Sequence, residues 1–394
     1  MPVLSRRGRD ERAQLYPPAV RSLVTERFIG SFDLFEAYID RQAVAIARAT
    51  GLADACRDGA TIGQAVAGAG LDPRIAPIPS AWVLDTLAQA GLAARSASAG
   101  GVFYRVDKDL PAADPEDVRA AQQRHDPACL PAYDIAALAA RHYPAVLRGE
   151  ISGEQALFGP DGILPWVKYF SNDNPIYAIS NRIGAIAALE ALPAGAIDIL
   201  ELGGGLGSGA DALLCGLREA GRAGDLRSYR LTDVSPLFLK RAQRHLAARH
   251  AGAPLSYGHL DIDRPFVEQD VGAGAFGLVY GVNVLHVARD LTATLAALRG
   301  ALRPGGRLVM AECVRPFEGR AFPLELVFNL LEAFREAKTV QPWRPNGGFL
   351  TPAQWRGALL ANGFAEVSVY PDIEAIREAY PSFVCAALVA RRPD

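Results

Sequence analysis

Residues Asp198 to Asp211 read DILELGGGLGSGAD. A short apolar run (Ile197, Ile199, Leu200, Leu202) carries an acidic residue, Glu201, and four glycines follow within five positions: Gly203, Gly204, Gly205 and Gly207. A helical pattern, Ala210 to Leu217, starts at once. Strand, glycine turn, helix is how an α/β sheet brings backbone N–H groups up against a nucleotide-like ligand. A Cβ in that turn would block both the reversal of the chain and the approach of the ligand.

The rest of the third zone of the chain, residues 186–394, repeats the alternation. Strand patterns fall at Ile197–Leu202, Ser228–Thr232, Leu255–Leu260, Phe276–Val282 and Arg307–Cys313. Leu291, Leu295, Leu298 and Leu302 mark a helix between the last two. Such alternation predicts a parallel, doubly wound sheet. The end differs: Phe364–Tyr370 and Phe383–Ala390 are strand-like with little room for a helix between them, so an antiparallel pair is expected at the sheet edge.

Residues 1–115 read as mostly helical. Phe28–Ala49 is a long amphipathic stretch, and Thr61 caps a short helix ending at Ala67. After the prolines between Pro73 and Pro79 comes Ser80–Ala90, with Trp82, Leu84 and Leu87 as a buried stripe. Two short strands then surround Gly100–Gly101. Three helices and a hairpin make a winged-helix-like pattern. Its third helix has no Lys or Arg, and phosphate contacts supply most nonspecific DNA affinity. The zone is therefore read as a packing or dimerisation module, compatible with a homodimer, rather than a nucleic-acid binder. Residues 116–185 form a proline-broken helical linker or lid. Its stretch WVKYFSNDNPIYAISNR, containing Tyr169 and Tyr177, suits either a pocket wall or a helix packed on its neighbour.

The chain of 394 residues is long enough for such an organisation and its net charge is only −2, with no basic footprint. Five cysteines lie far apart without a Cys-x-x-Cys pair, as expected of reduced thiols in the cytoplasm rather than of a zinc site. The first fifteen residues lack the apolar core of a signal peptide. No apolar run reaches the roughly 20 residues of a membrane helix. A soluble cytoplasmic protein is expected.

Gly205-Leu-Gly207-Ser-Gly-Ala210 satisfies a loose dinucleotide pattern, which alone decides nothing. Four further features do. Asp233 ends the second strand, where a carboxylate can accept both hydroxyls of a ribose, and lies farther from the glycines than a dinucleotide fingerprint places it. Asp261 ends the third strand in HLDID, the fourth strand ends in GVNVLH, and Leu302-Arg-Pro304-Gly305-Gly306 precedes the fifth. Together these motifs over about residues 195–390 resemble the class I S-adenosylmethionine-dependent methyltransferases, a Rossmann-like seven-stranded fold whose sheet ends in an antiparallel strand pair.

That resemblance implies S-adenosylmethionine as cofactor. It also implies roles for Gly203, Gly204, Gly205 and Gly207 beside the methionine portion, and for Glu201 toward its ammonium. Asp233 would then take the ribose, Asp261 and Ile262 the adenine edge, and Asn283 the neighbourhood of the sulfonium. Asp233 could instead simply cap the helix that starts near Ser235, the lesser alternative. Asp261 and Asp263 could be turn residues, or a metal pair as in some catechol-type methyltransferases, although no metal is expected here.

Methyl transfer from a sulfonium needs alignment and removal of the acceptor's proton. Of six histidines, His245 and His250 lie among arginines on what reads as a solvated helix. His286 alone follows the fourth strand at its C-terminal end, where ligands bind in an open α/β sheet. Glu312 ends the adjacent fifth strand at the same edge. A carboxylate on one imidazole nitrogen fixes the tautomer and raises the basicity of the other.

LDIDRPFVEQDVGAGAFGLVYGVNVLHVARDL with LRPGGRLVMAE closely resembles the C-methyltransferase domains of polyketide synthases. Those domains use a His–Glu dyad to deprotonate the α-carbon of a β-ketoacyl thioester on a carrier protein. The matching positions are His286 and Glu312. The winged-helix-like front resembles that of small-molecule O-methyltransferases, but Val287-Ala288 follows the histidine where those enzymes commonly have Asp-Trp. The resemblance implies C-methylation of a polyketide-like small-molecule or carrier-bound acyl substrate. O-methylation of a phenol or enol is the alternative, and an inactive binding or regulatory module is an alternative of another class. A helix over Leu324–Phe334 and the segment Trp343–Leu350 could cover the pocket, with Phe328, Phe334 and Trp343 as apolar walls or as ordinary core.

Overall fold

The computed structural model describes residues 15–98, 101–106, 109–112 and 114–394. The N-terminal run read against a signal peptide (residues 1–14) and Gly100 of the hairpin turn lie outside them. The chain forms two compact units, one of residues 26–169 and 317–335, the other of residues 15–25, 170–316 and 336–394. The segment 116–185 is thus divided between them, and the first unit is completed by a return of the chain far downstream.

In the first unit the helix Glu26–Thr50 buries Phe28, Phe32, Phe35, Ile39 and Ala43, residues three or four apart that share one face. Thr61 opens the helix Ile62–Gly68 with a reciprocal cap: its hydroxyl accepts the Gln64 amide at 3.4 Å, and the Gln64 side chain accepts the Thr61 amide at 2.9 Å. The next helix runs Pro77–Gln89, three residues earlier than the expected Ser80 start. Pro77 and Pro79 sit in the first turn, where backbone amides have no intrahelical partner to lose. Trp82, Leu84 and Leu87 are buried as their spacing predicted, and Trp82 Nε1 donates to the Phe322 carbonyl at 2.9 Å. Strands β2 (Ala94–Ser98) and β3 (Gly101–Arg105) pair antiparallel, and β1 (Ala60–Thr61) joins the other edge of β3. The stretch expected as one helix over Leu324–Phe334 is two short ones, Glu325–Phe328 and Glu332–Arg335. The Arg335 guanidinium takes the Asn329 and Leu330 carbonyls, which continuous helix would have used.

The second unit is built on seven strands: β4 (Ile197–Leu202), β5 (Leu226–Asp233), β6 (Leu255–His259), β7 (Phe276–Val282), β8 (Leu302–Cys313), β9 (Ala365–Tyr370) and β10 (Cys385–Arg391). Their order is β6-β5-β4-β7-β8-β10-β9. The first five are parallel, and β10 runs antiparallel to both β8 and β9. β4 and β7 are buried along their whole length, as central strands of a parallel sheet covered on both faces must be. β8 begins at Leu302 rather than Arg307: the Arg-Pro-Gly-Gly stretch bulges within the strand, between the pairs Phe276↔Leu302 and Leu278↔Arg307. Gly305 provides the positive φ of +70° there. Chain order reverses between β4 and β7, and the C-terminal strand ends at that switch point form the crevice where open α/β sheets bind ligands. No helix among the described residues is long and apolar enough to cross a membrane.

Candidate active site

The glycine turn follows β4 and feeds the helix Ser208–Glu219. Its glycines serve different ends. A Cβ on Gly204 would lie 2.5 Å from Leu231, so this residue lets the loop pack on β5. Gly205 has φ +52°, and a Cβ there would meet nothing nearer than the Gly203 carbonyl at 3.9 Å. The loop is therefore packed on its inner side and open above Gly205.

Four side chains frame the loop and the strand before it. Asp233, at the end of β5, accepts the Gly205 amide at 2.9 Å and the Ser235 amide at 2.7 Å, one on each carboxylate oxygen. Ser235 itself caps the helix Pro236–Arg249. Asp233 is thus neither a plain cap nor free of the backbone: it fastens the glycine loop, and each of its oxygens has a further lone pair. Burial raises its carboxyl above the ordinary range, against the two amides that lower it. Glu201 is 1% exposed, and its Oε2 accepts the Tyr229 hydroxyl at 2.9 Å. Burial pushes this carboxyl up to about 8, opposed by Tyr229 and reinforced by the charge of Asp233. Tyr229 and Thr232, whose hydroxyl donates to the Glu201 carbonyl at 2.6 Å, were not singled out from the sequence. Their alternation within YRLTD was the available signal.

Asp261 turns the chain after β6, its Oδ1 accepting the Asp263 amide at 2.9 Å. Its backbone is clamped in both directions by the Gln269 side chain, each bond 2.8 Å long. The Ile262 carbonyl accepts the Thr294 hydroxyl at 3.1 Å. Asp263 Oδ1 is spent on the Arg289 amide at 2.8 Å.

At the ends of β7 and β8 the geometry tightens. Asn283 has φ +51°, uncommon for a residue with a side chain, and its Oδ1 accepts the Cys313 amide at 2.9 Å. The strained residue swings the chain off β7 into the short turn Leu285–Val287. His286 on that turn is 2% exposed, and Glu312 on β8 is fully buried. Nδ1 of His286 lies 2.7 Å from Glu312 Oε2, while Glu312 Oε1 accepts the amides of Val284 at 3.0 Å and Leu285 at 2.7 Å. With Nδ1 so committed, Nε2 is the nitrogen able to take a proton.

The segment Trp343–Leu350 lies against this turn. The Phe349 ring is 4.5 Å from the imidazole, centre to centre, and Arg344 Nη2 donates to the Ala288 carbonyl at 2.7 Å. Sequence reasoning named the segment for Trp343 and missed these two. Trp343 itself packs toward Gly357 of the helix Pro352–Ala361, whose Cβ would lie 3.0 Å from it. Tyr177, half-buried, lies within reach of the charges of Glu201, Asp233 and Glu312; burial and those charges raise its hydroxyl pKa. Tyr169 and Phe328 instead belong to the first unit, both around Trp166 at 5.5 and 6.4 Å between ring centres. Tyr169 and Phe328 therefore belong to an aromatic cluster of the first unit, whereas Tyr177 and Trp343 belong to the second.

Two further expectations change. The amide-rich stretch anchors the glycine-loop helix: Asn172 Nδ2 donates to the Ser208 carbonyl at 2.9 Å, Asn181 Nδ2 to Asn172 Oδ1 at 2.8 Å, and Ser208 to the Phe170 carbonyl at 2.5 Å. His250 does not point to solvent. Its side chain is 6% exposed, with Nε2 2.8 Å from Asp211 Oδ1. Cys215 completes a trio whose ligand atoms lie within 4.8 Å of one another, but the same Asp211 oxygen already accepts from Arg249 at 2.7 Å.

A family profile described as a methyltransferase domain matches residues 200–308. The chain is 28% identical over 240 residues to highly reducing polyketide synthase 2 of Gibberella zeae, which covers 60% of this chain and 9% of that protein. The chain thus spans a small part of such a relative's length. Among solved structures it superposes on the CurJ carbon methyltransferase with a TM-score of 0.72 and 24% identity, over 98% of this chain and 96% of that one. The trans-methyltransferase CalH, solved in complex with SAH, matches with a TM-score of 0.58 and 22% identity over 91% and 90% of the two chains.

Proposed function

We propose, from the premise that the chain is a class I S-adenosylmethionine-dependent methyltransferase, that it methylates carbon next to a carbonyl in a polyketide-like acyl substrate, with His286 as the base. The observation that carries this reading is the buried 2.7 Å contact between His286 and Glu312 at the sheet edge.

The residues fit the cofactor. The glycine turn is open on one side at Gly205, and Asp233 presents a carboxylate already anchored through its two amide bonds. Backbone of Gly203–Gly207 would hold the methionine portion, Glu201 its ammonium, Asp233 the ribose, and Asp261 with Ile262 the adenine edge. Asn283 closes the same crevice beside the base. When bound, S-adenosylmethionine supplies an electrophilic methyl group.

The protein's remaining task is to make the acceptor nucleophilic. Glu312 holds the tautomer with a proton on Nδ1, so Nε2 takes the proton from the acceptor carbon. The imidazolium that results is stabilised by the carboxylate at its back, as in other carboxylate–histidine pairs. Phe349 keeps water from one face of the ring, which preserves the strength of that pairing. The polyketide synthase relatives support an acyl thioester acceptor presented by a carrier protein.

The test is incubation of purified protein with S-adenosylmethionine and paired acceptors, a β-ketoacyl thioester and a phenol, with the new methyl located by NMR. A methyl on the α-carbon is expected. Methylation confined to oxygen would overturn the carbon assignment.

A further inference from the structure

Arg344 is 1% exposed, yet the bond from Nη2 to the Ala288 carbonyl is its one side-chain hydrogen bond among the described residues. Its Nε and Nη1 have no hydrogen-bond partner among the described residues. The two acidic charges that act on it, Asp263 and Asp290, bond elsewhere, Asp263 with the Arg289 amide and Asp290 with Lys338 at 2.8 Å. A guanidinium serving the core would spend its donors on those carboxylates, because a buried donor left unmet bears its full desolvation penalty.

The backbone shows that this placement is held firmly. Arg344 and Val340 exchange two hydrogen bonds, of 2.6 and 2.8 Å, and the Lys338 amide donates to the Arg289 carbonyl at 2.7 Å. With Phe349 on the imidazole, the segment 338–349 is fastened to residues 286–290 at several points. Arg344 is thereby fixed to the same turn as the base, two residues along the chain.

We propose that Arg344 is an oxyanion-binding residue: its Nε and Nη1 donate to the carbonyl oxygen of the acceptor and stabilise the negative charge that collects there when His286 removes the α-proton. This rests on the carbon-methylation reading above and narrows it, since the acceptor must carry a carbonyl oxygen beside the reacting carbon. The step balances. The C–H bond breaks, its proton passes to Nε2 of His286, and its electron pair is delocalised onto the carbonyl oxygen as an enolate. Arginine suits the role because it donates several hydrogen bonds and does not give up a proton itself.

The test needs no methyl donor. Exchange of the α-protons of acetoacetyl-N-acetylcysteamine in D2O is followed by NMR with wild type, Arg344→Lys, Arg344→Met and His286→Ala. Lysine keeps a cation that can reach the Ala288 carbonyl but loses the rigid planar fork that sets the positions of Nε and Nη1. Both Arg344 variants should exchange about 10²–10³ times more slowly than wild type, the usual loss for one oxyanion donor. Their melting temperatures and SAH affinities should stay close to wild type. The defect should shrink with a trifluoromethyl 1,3-diketone, whose enolate needs less stabilisation, whereas a displaced imidazole would not be rescued. Exchange at the wild-type rate in Arg344→Lys, with His286→Ala inactive, would overturn the proposal and leave the base in place. Absence of catalysed exchange in the wild type would overturn the carbon-methylation reading itself. If Arg344→Met fails to fold, the lysine variant decides.

Discussion

Glu312 holds His286 twice over: one oxygen takes Nδ1 of the ring at 2.7 Å, and the other takes the amides of Val284 and Leu285 on the turn that carries the ring. Side chain and backbone of the proposed base are therefore placed by a single carboxylate on the next strand. Such an arrangement fixes the tautomer before any ligand arrives, and preorganisation of that kind avoids reorganisation during reaction. It also explains why the strain at Asn283, with φ +51°, is tolerated: the buried amides of Val284 and Leu285 in the turn it creates are both bonded to Glu312.

Replacing His286 by Ala should leave SAH affinity within about threefold of wild type and lower turnover by about 10²–10⁴-fold, the range for removing a general base. Glu312→Gln should fall by a similar factor, because an amide cannot accept on both of its heteroatoms and the ring or the turn must shift. Glu312→Ala should in addition lose thermal stability, since three donors lose their acceptor. Calorimetric SAH titration beside turnover assays separates these effects. Unchanged turnover in His286→Ala would remove the base assignment.

The glycine loop offers two substitutions with different expected outcomes. Gly204→Ala places a Cβ 2.5 Å from the buried Leu231 and should cost about 1–3 kcal/mol of stability through overpacking. Gly205→Ala meets no side chain, and its strain at positive φ amounts to about 1–2 kcal/mol. Its methyl, however, points into the open side of the loop. Gly205→Ala should therefore lose more SAH affinity than Gly204→Ala for the same fall in melting temperature. Equal losses would mean that the open side is not where the cofactor lies.

Asp233→Asn keeps one oxygen for the Gly205 or Ser235 amide, whereas Asp233→Ala leaves both unmet. The asparagine should lose affinity for SAH by about tenfold or more, as one charge-assisted bond is worth about 1.5–3 kcal/mol. The alanine should lose affinity and melting temperature together. Asparagine binding SAH as well as wild type would return Asp233 to a purely structural role.

Much of this was legible in the sequence because it depends on order along the chain. The strand ends that carry Glu201, Asp233, Asp261, Asn283 and Glu312 follow from apolar runs and glycine or acidic punctuation, and parallel strands bring such ends to one edge. Residues that act across the chain were not legible. Phe349 and Arg344 reach His286 and Ala288 from a stretch of irregular backbone some sixty residues on, where no periodicity fixes direction. Tyr169 and Phe328 were named for their type, yet they pack around Trp166, because aromatic residues fill a core as readily as they line a pocket. Likewise Arg335 broke an expected helix by taking its carbonyls, a tertiary choice invisible to local propensity.

Glu201 provides a proton-linked test of where the cofactor's ammonium sits. Burial raises its carboxyl from the ordinary value of 4.5 to about 8, so the ligand-free protein carries it protonated at pH 7. A group whose folded pKa exceeds its unfolded pKa withdraws stability as pH rises between the two values. Ligand-free protein should accordingly lose melting temperature between about pH 5 and 8, and Glu201→Gln should flatten that part of the curve. An ammonium placed beside Glu201 favours its charged form and expels the proton. SAH binding at pH 7 should then release close to one proton per site, read from calorimetry in buffers of different ionisation enthalpy, and Glu201→Gln should release none. Release that is identical in the variant would place the ammonium elsewhere along the glycine loop.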